Sequence, residues 1–257
     1  MTLMQVAALE IAVGDRLLTQ NLDWQIDRGE FWCVLGKNGA GKTTLLQVIA
    51  GLRSPLKGQI RLCGDPLQST PLALLAGRRG LMMQQQVDIF SHTVFDAVVI
   101  GHFAGGNSPR DKSLSASVSV RTALEKVSLA GSDARNVLTL SGGERQRVAL
   151  AALLVQAPEL MLLDEPVSHQ DVAQQLQVMQ LLRELSAHHA VVASCHDINL
   201  ARRFATHALV LGEGRHWLGS VGDTLVPEIL RLAFGCEFLQ QGDWLVPVEE
   251  HTARPSR

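Results

Sequence analysis

The sequence contains no tyrosine and only four cysteines, and neither sign of charge dominates it. Cys33, Cys63, Cys195 and Cys236 lie far apart and form no Cys-x-x-Cys pair. This argues against a zinc site or a disulfide framework and predicts reduced thiols. Lys plus Arg number 23 against 25 for Asp plus Glu, so a formal net charge of -2 supplies no bulk attraction toward nucleic acid. No window reaches the roughly 18–20 apolar residues of a membrane span. The longest suggestive run, Val148 to Ala157, is too short and is followed by Pro158 and Glu159. A signal peptide is not expected either, because no Lys or Arg precedes Arg16 while Glu10 and Asp15 come early. Internal repeats and low-complexity tracts are also missing. What is present, 46% hydrophobic and 19% charged residues, excludes a disordered chain. With 257 residues the chain can build one large domain or two small ones around a sizeable core. The expectation is a soluble, cytoplasmic protein, with a membrane-embedded partner left open.

The opening reads as strands. Leu22, Trp24 and Ile26 alternate with polar neighbours, the period-2 pattern of a half-exposed strand. After the turn at Arg28-Gly29, Phe31 to Leu35 is an unbroken apolar run, as in a strand buried on both faces. A glycine-rich loop follows, then Leu45, Leu46, Ile49 and Ala50 at helical spacing with Gly51 as a C-terminal stop. Ile60 and Leu62 mark another short strand. Between Gln84 and Ala157 the character changes, with helices predicted at Val118 to Leu129 and Glu144 to Val155. The stretch Gly105 to Ser119 is read as a flexible loop from its Gly, Ser, Asn and Pro content. Leu160 to Leu163 and Ala190 to Ser194 are predicted buried strands. The helix between them spans Val172 to Ser186, with Val172, Leu176, Met179 and Leu182 on one face. Ala253 to Arg257 reads as a frayed end.

Three motifs carry chemistry. Gly36-Lys37-Asn38-Gly39-Ala40-Gly41-Lys42-Thr43 matches the phosphate-binding pattern GxxxxGK[ST], with a buried strand before it and a helix after it. Its glycines let backbone N–H groups turn toward one anion, and the helix N-terminus adds a favourable dipole. Lys42 would reach the β- and γ-phosphates, and the Thr43 hydroxyl would ligate Mg²⁺. Leu160 to Leu163 would deliver Asp164 and Glu165 to the C-terminal end of a strand, where open α/β sheets bind ligands. Asp164 is placed to hold Mg²⁺ and Glu165 to orient and deprotonate an attacking water. Between these lies Leu140-Ser141-Gly142-Gly143-Glu144-Arg145-Gln146-Arg147, a Ser-Gly-Gly turn opening a helix. Ser141, Gly142 and Gly143 offer a second anion site, although an ordinary N-cap would use the same residues.

The order and spacing of these motifs resemble the nucleotide-binding subunit of an ATP-binding cassette (ABC) transporter over nearly the whole chain. The Leu-Ser-Gly-Gly-Glu stretch is similar to that family's signature motif. The resemblance implies an α/β fold: a P-loop RecA-like core, an N-terminal antiparallel β subdomain and an inserted helical signature subdomain. It divides the chain into a catalytic core at 1–84 and 158–215, a helical subdomain at 85–157 and a C-terminal tail at 216–257. It implies a head-to-tail homodimer with two ATP molecules between the subunits. Each ATP would be held by Gly36, Asn38, Gly39, Gly41, Lys42, Thr43 and Thr44 of one copy and by Ser141, Gly142 and Gly143 of the other. Gln84 resembles the family's Q-loop glutamine, a contact to Mg²⁺ and the nucleophilic water. The run Gln84-Gln85-Gln86 leaves the register open, and Gln84 is preferred because the family's downstream Thr-Val then falls on Thr93-Val94. His196 resembles the switch histidine that contacts the γ-phosphate. Ser168-His169-Gln170-Asp171 looks like the D-loop, though Gln170 stands where Leu is usual and Val167 where Thr is usual. The family stacks adenine on an aromatic residue, often tyrosine. The region Ala12 to Asp15 has none, which leaves Arg16 or an aliphatic surface to substitute.

Cargo is read from a weaker resemblance. The segment Gln84 to Thr93, the phrase His196-Asp197-Ile198-Asn199-Leu200-Ala201 and the tail Ile229 to Gly235 look like the ATPases of iron–siderophore, haem or cobalamin importers. Such a system implies an integral membrane permease dimer above two ATPase copies, a substrate-binding protein outside, no nucleic acid, and a peripheral position on the cytoplasmic face of the inner membrane. A zinc, manganese or other small-cargo transporter is the alternative, as is a soluble ABC ATPase without a transport role. Coiled-coil insertions and a second cassette are both missing, which counts against the last.

Overall fold

A computed structural model describes residues 2–84, 90–104 and 114–248. The chain opens with β1 (Thr2–Val13), β2 (Arg16–Asp27) and β3 (Phe31–Gly36), followed by α1 (Lys42–Ile49). Next come β4 (Lys57–Leu62), β5 (Asp65–Pro66), α2 (Leu72–Arg78) and β6 (Arg79–Met82). Three helices follow: α3 (Val94–Ala104), α4 (Leu114–Lys126) and α5 (Gly142–Gln156). The chain then forms β7 (Leu160–Leu163), α6 (Val172–Leu185), β8 (Ala190–Ser194), α7 (Ile198–Phe204), β9 (His207–Leu211) and β10 (His216–Ser220). It closes with α8 (Val221–Thr224), α9 (Pro227–Phe234), β11 (Glu237–Gln241) and β12 (Trp244–Val248).

An antiparallel sheet in the order β2-β1-β4-β5 lies beside a six-stranded sheet in the order β10-β9-β3-β8-β7-β6. In the second sheet every pairing is parallel except β9 with β10. Alternation across this sheet explains the unbroken apolar runs. Phe31, Cys33, Leu35, Met161, Leu163, Val191 and Ala193 point into one core with the helical segment. Trp32, Val34, Leu160, Leu162, Ala190 and Val192 point into another with β1, β2 and α1. A strand covered on both faces needs apolar residues at every position. The result is a mixed α/β molecule with an antiparallel β subdomain, a parallel-dominated sheet and a helical layer. Among the described residues no helix is long and apolar enough to cross a membrane.

Several expectations need correction. The predicted loop from Gly105 to Ser119 lies partly outside the described residues, but Leu114–Ser119 begins α4. Ala116 and Val120, one helical turn apart, are fully buried, so packing overrides the serine-rich composition. That helix also stops at Lys126, short of Leu129. Val172 is 72% exposed rather than part of the apolar face. It follows the N-cap Asp171 directly, and the buried stripe is Val178, Met179 and Leu182. The strand β6 and the helix α3 were not foreseen. Gly101 permits the close approach of α3 to α5, because a Cβ there would collide with the Ala152 carbonyl. Strand β10, the first part of the expected tail, pairs with β9 in the central sheet. Ala253 to Arg257 and Gln85-Gln86 lie outside the described residues.

Candidate active site

The glycine-rich loop joins β3 to α1. Gly41 is the N-cap of α1 with φ 101°, and a Cβ there would meet Leu18 Cδ1 at 2.8 Å. Only glycine combines that backbone with that approach. The loop walls a cavity of about 670 Å³ that Asn38, Gly39, Gly41, Lys42, Thr43 and Thr44 line from one side. Gln84, Glu165, Ser168, His169 and His196 line it from the other, and Val13, Arg16 and Leu18 form its rim. Gly36 lies behind the lining, at the end of β3. Ser141, Gly142 and Gly143 are not part of this cavity, so a single chain does not bring the two predicted anion sites together.

Lys42 is buried, and its Nζ donates to the Gly36 carbonyl at 2.9 Å and to that of Lys37 at 3.3 Å. Burial lowers its pKa, while the carboxylates of Glu165 and Asp164 pull it back up. The two acids leave β7 into quite different surroundings. Asp164 is 1% exposed, and its Oδ1 accepts from the Ser194 hydroxyl at 2.7 Å. Its Oδ2 is buried with no hydrogen-bond partner among the described residues. An orphaned carboxylate oxygen of this kind is costly unless a cation or donor completes it. Together with the Thr43 hydroxyl and the Gln84 amide, it offers the hard oxygen donors that suit Mg²⁺. No group of three or more His, Cys, Asp or Glu is placed to hold a metal among the described residues. The residues present therefore fit a cation that nucleotide oxygens help to ligate.

Glu165 reaches the cavity with both carboxylate oxygens engaged. Gln84 Nε2 donates to Oε2 at 2.7 Å, and His196 Nε2 lies 2.5 Å from Oε1. The side chain of Glu165 is 14% exposed against 47% for His196, so the pair spans the edge of the site. Beside them, burial pushes the Cys195 thiol up to about 11, and it stays neutral.

Ser141 is the N-cap of α5. Its Oγ accepts from the Glu144 N–H at 3.2 Å, and Glu144 Oε2 accepts from the Ser141 N–H at 2.8 Å. This capping box leaves the hydroxyl proton of Ser141 available to a ligand. Gly142 and Gly143 face the turn after Glu165, where Gly143 packs against His169 and Gln170.

Two residues escaped the sequence reading. Gln146 is buried on α5 and donates to Ser168 Oγ at 2.5 Å and to the Glu165 carbonyl at 3.3 Å. A polar residue on the inward face of a helix was the available signal. Ser194 ends a predicted strand, yet it is fully buried, and its hydroxyl donates to the Asp164 carboxylate and accepts from the Glu165 N–H.

Comparison with known proteins matches residues 19–168 to the ABC transporter family. The hemin import ATP-binding protein HmuV of Deinococcus radiodurans is 38% identical over 91% of this chain and 91% of its own length. The cobalamin import ATP-binding protein BtuD of Halobacterium salinarum is 35% identical over 90% of this chain, which spans 58% of that relative. Among solved structures, an inward-facing metal-chelate type ABC transporter aligns with TM-score 0.82 and 26% identity, over 97% of this chain and 99% of that one. A dimeric ATP-binding cassette bound to ADP and Pi shares the fold, with TM-score 0.75 and 23% identity over 85% and 98% of the two chains.

Proposed function

The chain belongs to the ABC transporter family and is one of its ATP-binding ATPases, and from that premise we propose that two copies close around two ATP molecules to power a separate membrane permease importing a metal chelate. The observation that carries this reading is the split between two anion sites. Lys42, Glu165, Gln84 and His196 converge on one cavity, whereas Ser141, Gly142 and Gly143 lie outside it. A head-to-tail partner would bring its own signature turn over that cavity and complete it.

In this reading the loop from Gly36 to Gly41, with Lys42, Thr43 and Thr44, binds the phosphates through backbone N–H groups, one ammonium and two hydroxyls. Asp164, Thr43 and Gln84 would hold Mg²⁺, which when bound neutralises charge on the phosphate oxygens. Glu165 accepts a proton from the attacking water, held in place by His196 and Gln84. Closure buries charge on one copy against helix-terminal N–H groups of the other, and hydrolysis removes the shared γ-phosphate and releases the clamp.

The permease would dock in a groove of about 240 Å³ lined by Leu81, Met82, Ala97, Ile100, Leu140 and Leu153. Met82 lies two residues before Gln84, so movement of that surface would reach the amide that touches Glu165. The hemin and cobalamin import relatives and the metal-chelate type neighbour support a cargo of that class, which would be haem, cobalamin or an iron–siderophore. With such a cargo the chain would sit on the cytoplasmic face of the inner membrane, with a substrate-binding protein on the far side.

The test is the solution mass of the Glu165→Gln chain with and without Mg-ATP. A shift from monomer to dimer on adding Mg-ATP is expected, and Ser141→Arg should abolish it. A chain that binds ATP yet stays monomeric, both alone and with its permease, would refute the composite site.

A further inference from the structure

Glu165 is a non-glycine residue with φ 52°, in the left-handed region that a side chain disfavours. Such a conformation persists only when its surroundings over-determine it. Here the backbone of Glu165 is held at both ends. Its carbonyl accepts from the Ser168 N–H at 3.2 Å and from Gln146 Nε2 at 3.3 Å. Its N–H donates to Ser194 Oγ at 2.8 Å. The same Ser194 hydroxyl donates its one proton to Asp164 Oδ1 at 2.7 Å. Ser194 is 0% exposed, so water cannot replace either bond. Two residues further along the chain, His196 meets the Glu165 carboxylate.

We propose that Ser194 is a positioning residue for ATP hydrolysis: its hydroxyl locks Asp164 and Glu165 into one geometry and ties both to the strand that leads into His196. The proposal rests on the reading of Glu165 as the base. One hydroxyl fixes the rotation of the Asp164 carboxylate, which keeps Oδ2 directed away from Ser194. It also fixes the strained peptide from which the Glu165 side chain departs. Removing it leaves a buried N–H and a buried carboxylate oxygen without partners and lets both acids turn. ATP itself is gripped elsewhere, by the loop around Lys42. Loss of Ser194 should therefore reduce turnover and the contribution of Mg²⁺ while sparing metal-free nucleotide binding.

The experiment compares the full chain with Ser194→Ala, Ser194→Cys, Ser194→Thr, Val192→Ala and Glu165→Gln. Steady-state ATPase kinetics and melting temperature are measured for each, with binding of a fluorescent ATP analogue in Mg²⁺ and in EDTA. Ser194→Ala should lower kcat about 10- to 150-fold, the range for losing a hydrogen bond to a charged group, with KM within about threefold. Its gain in analogue affinity on adding Mg²⁺ should shrink, while affinity in EDTA stays unchanged. Ser194→Thr keeps the hydroxyl and should recover most of the turnover. Ser194→Cys keeps a similar volume with a weaker hydrogen-bonding group, and stands in for alanine if that variant does not fold. Val192→Ala, on the same strand, should melt earlier with kcat unchanged, because a buried apolar loss reports stability alone. The proposal is overturned if folded Ser194→Ala or Ser194→Cys matches the parent in kcat and in Mg²⁺ gain. It is equally overturned if folded Ser194→Thr is as slow as alanine. An active Glu165→Gln chain would instead overturn the reading of the base.

Discussion

His196 Nε2 lies 2.5 Å from Oε1 of Glu165, while the other carboxylate oxygen accepts from Gln84 at 2.7 Å. The three side chains come from three separate parts of the chain, after β8, after β7 and after β6. Adjacent parallel strands bring them together, since β6, β7 and β8 are neighbours with their C-terminal ends on one edge. His196 and Gln84 thus bracket the proposed base, one at each carboxylate oxygen.

Glu165→Gln should keep the shape of this bracket and remove the proton acceptor. Turnover should fall about 10²- to 10⁴-fold, the usual effect of deleting a positioned base. ATP affinity should stay within a few-fold of the parent, so single-turnover hydrolysis and equilibrium binding will separate the two effects. Hydrolysis at the parental rate would assign the base elsewhere.

Lys42→Ala should act on the opposite step. The ammonium is buried against the loop carbonyls and is attracted by the carboxylates of Glu165 and Asp164. A hydrogen bond to a charged partner contributes about 1.5–3 kcal/mol, so ATP affinity should drop roughly 10- to 150-fold. Titration calorimetry with ATP in Mg²⁺ reads this directly. An unchanged affinity would mean the phosphates sit elsewhere than the loop.

The strands under the site were legible because a sheet covered on both faces demands uninterrupted apolar residues, as in Phe31–Leu35, Leu160–Leu163 and Ala190–Ser194. The glycine loop was legible because its backbone leaves few alternatives to glycine. The start of α4 was not, because Ala116 and Val120 become helical by packing on neighbours, which local composition does not encode. Nor were the bonds of Ser194 and Gln146. A serine at a strand end and a glutamine in a helix look ordinary until register and topology place them beside Glu165. The separation of Ser141 from the cavity was anticipated only through a family resemblance, since spacing along a chain does not say which copy completes a site.

The capping box at the signature helix predicts a pH-dependent stability. The Arg135 hydrogen bond, then the Ser141 N–H, hold the Glu144 carboxyl down to about 2 from an ordinary value of 4.5. A carboxyl depressed by folding stabilises the fold above its unfolded pKa. That contribution is complete above pH about 4.5 and is lost as pH falls from there toward 2. Glu144→Gln should therefore melt earlier than the parent at pH 7, with a difference that narrows as pH drops below 4.5. Ser141→Ala should cost about 0.5–2 kcal/mol at neutral pH through the lost cap. Urea titrations of parent and variants between pH 7 and pH 3 test both, and a Glu144 effect that grows toward acid would contradict the assigned ion pair.

Among the described residues no Phe, Trp or Tyr lines the cavity; Val13, Arg16 and Leu18 stand at its rim, and Val13 is 44% exposed. An aliphatic side chain and a guanidinium stacked flat on a purine cover its face without reading its edge, so in that arrangement ATP and GTP should bind within about an order of magnitude of each other. Stacking on an aromatic side chain contributes about 1–3 kcal/mol per base. Val13→Tyr should therefore tighten ATP binding about 5- to 150-fold, and GTP by a similar factor, because every base presents a π face. Arg16→Ala should weaken both nucleotides to a similar degree, since the guanidinium lines the cavity beside Gly39. Competition of ATP and GTP against one fluorescent nucleotide, in parent and both variants, measures all of these. Strong rejection of GTP by the parent chain would mean that a hydrogen-bonding group reads the base edge, and the search for it would begin at Glu213, which shares a neighbouring cleft with Arg16.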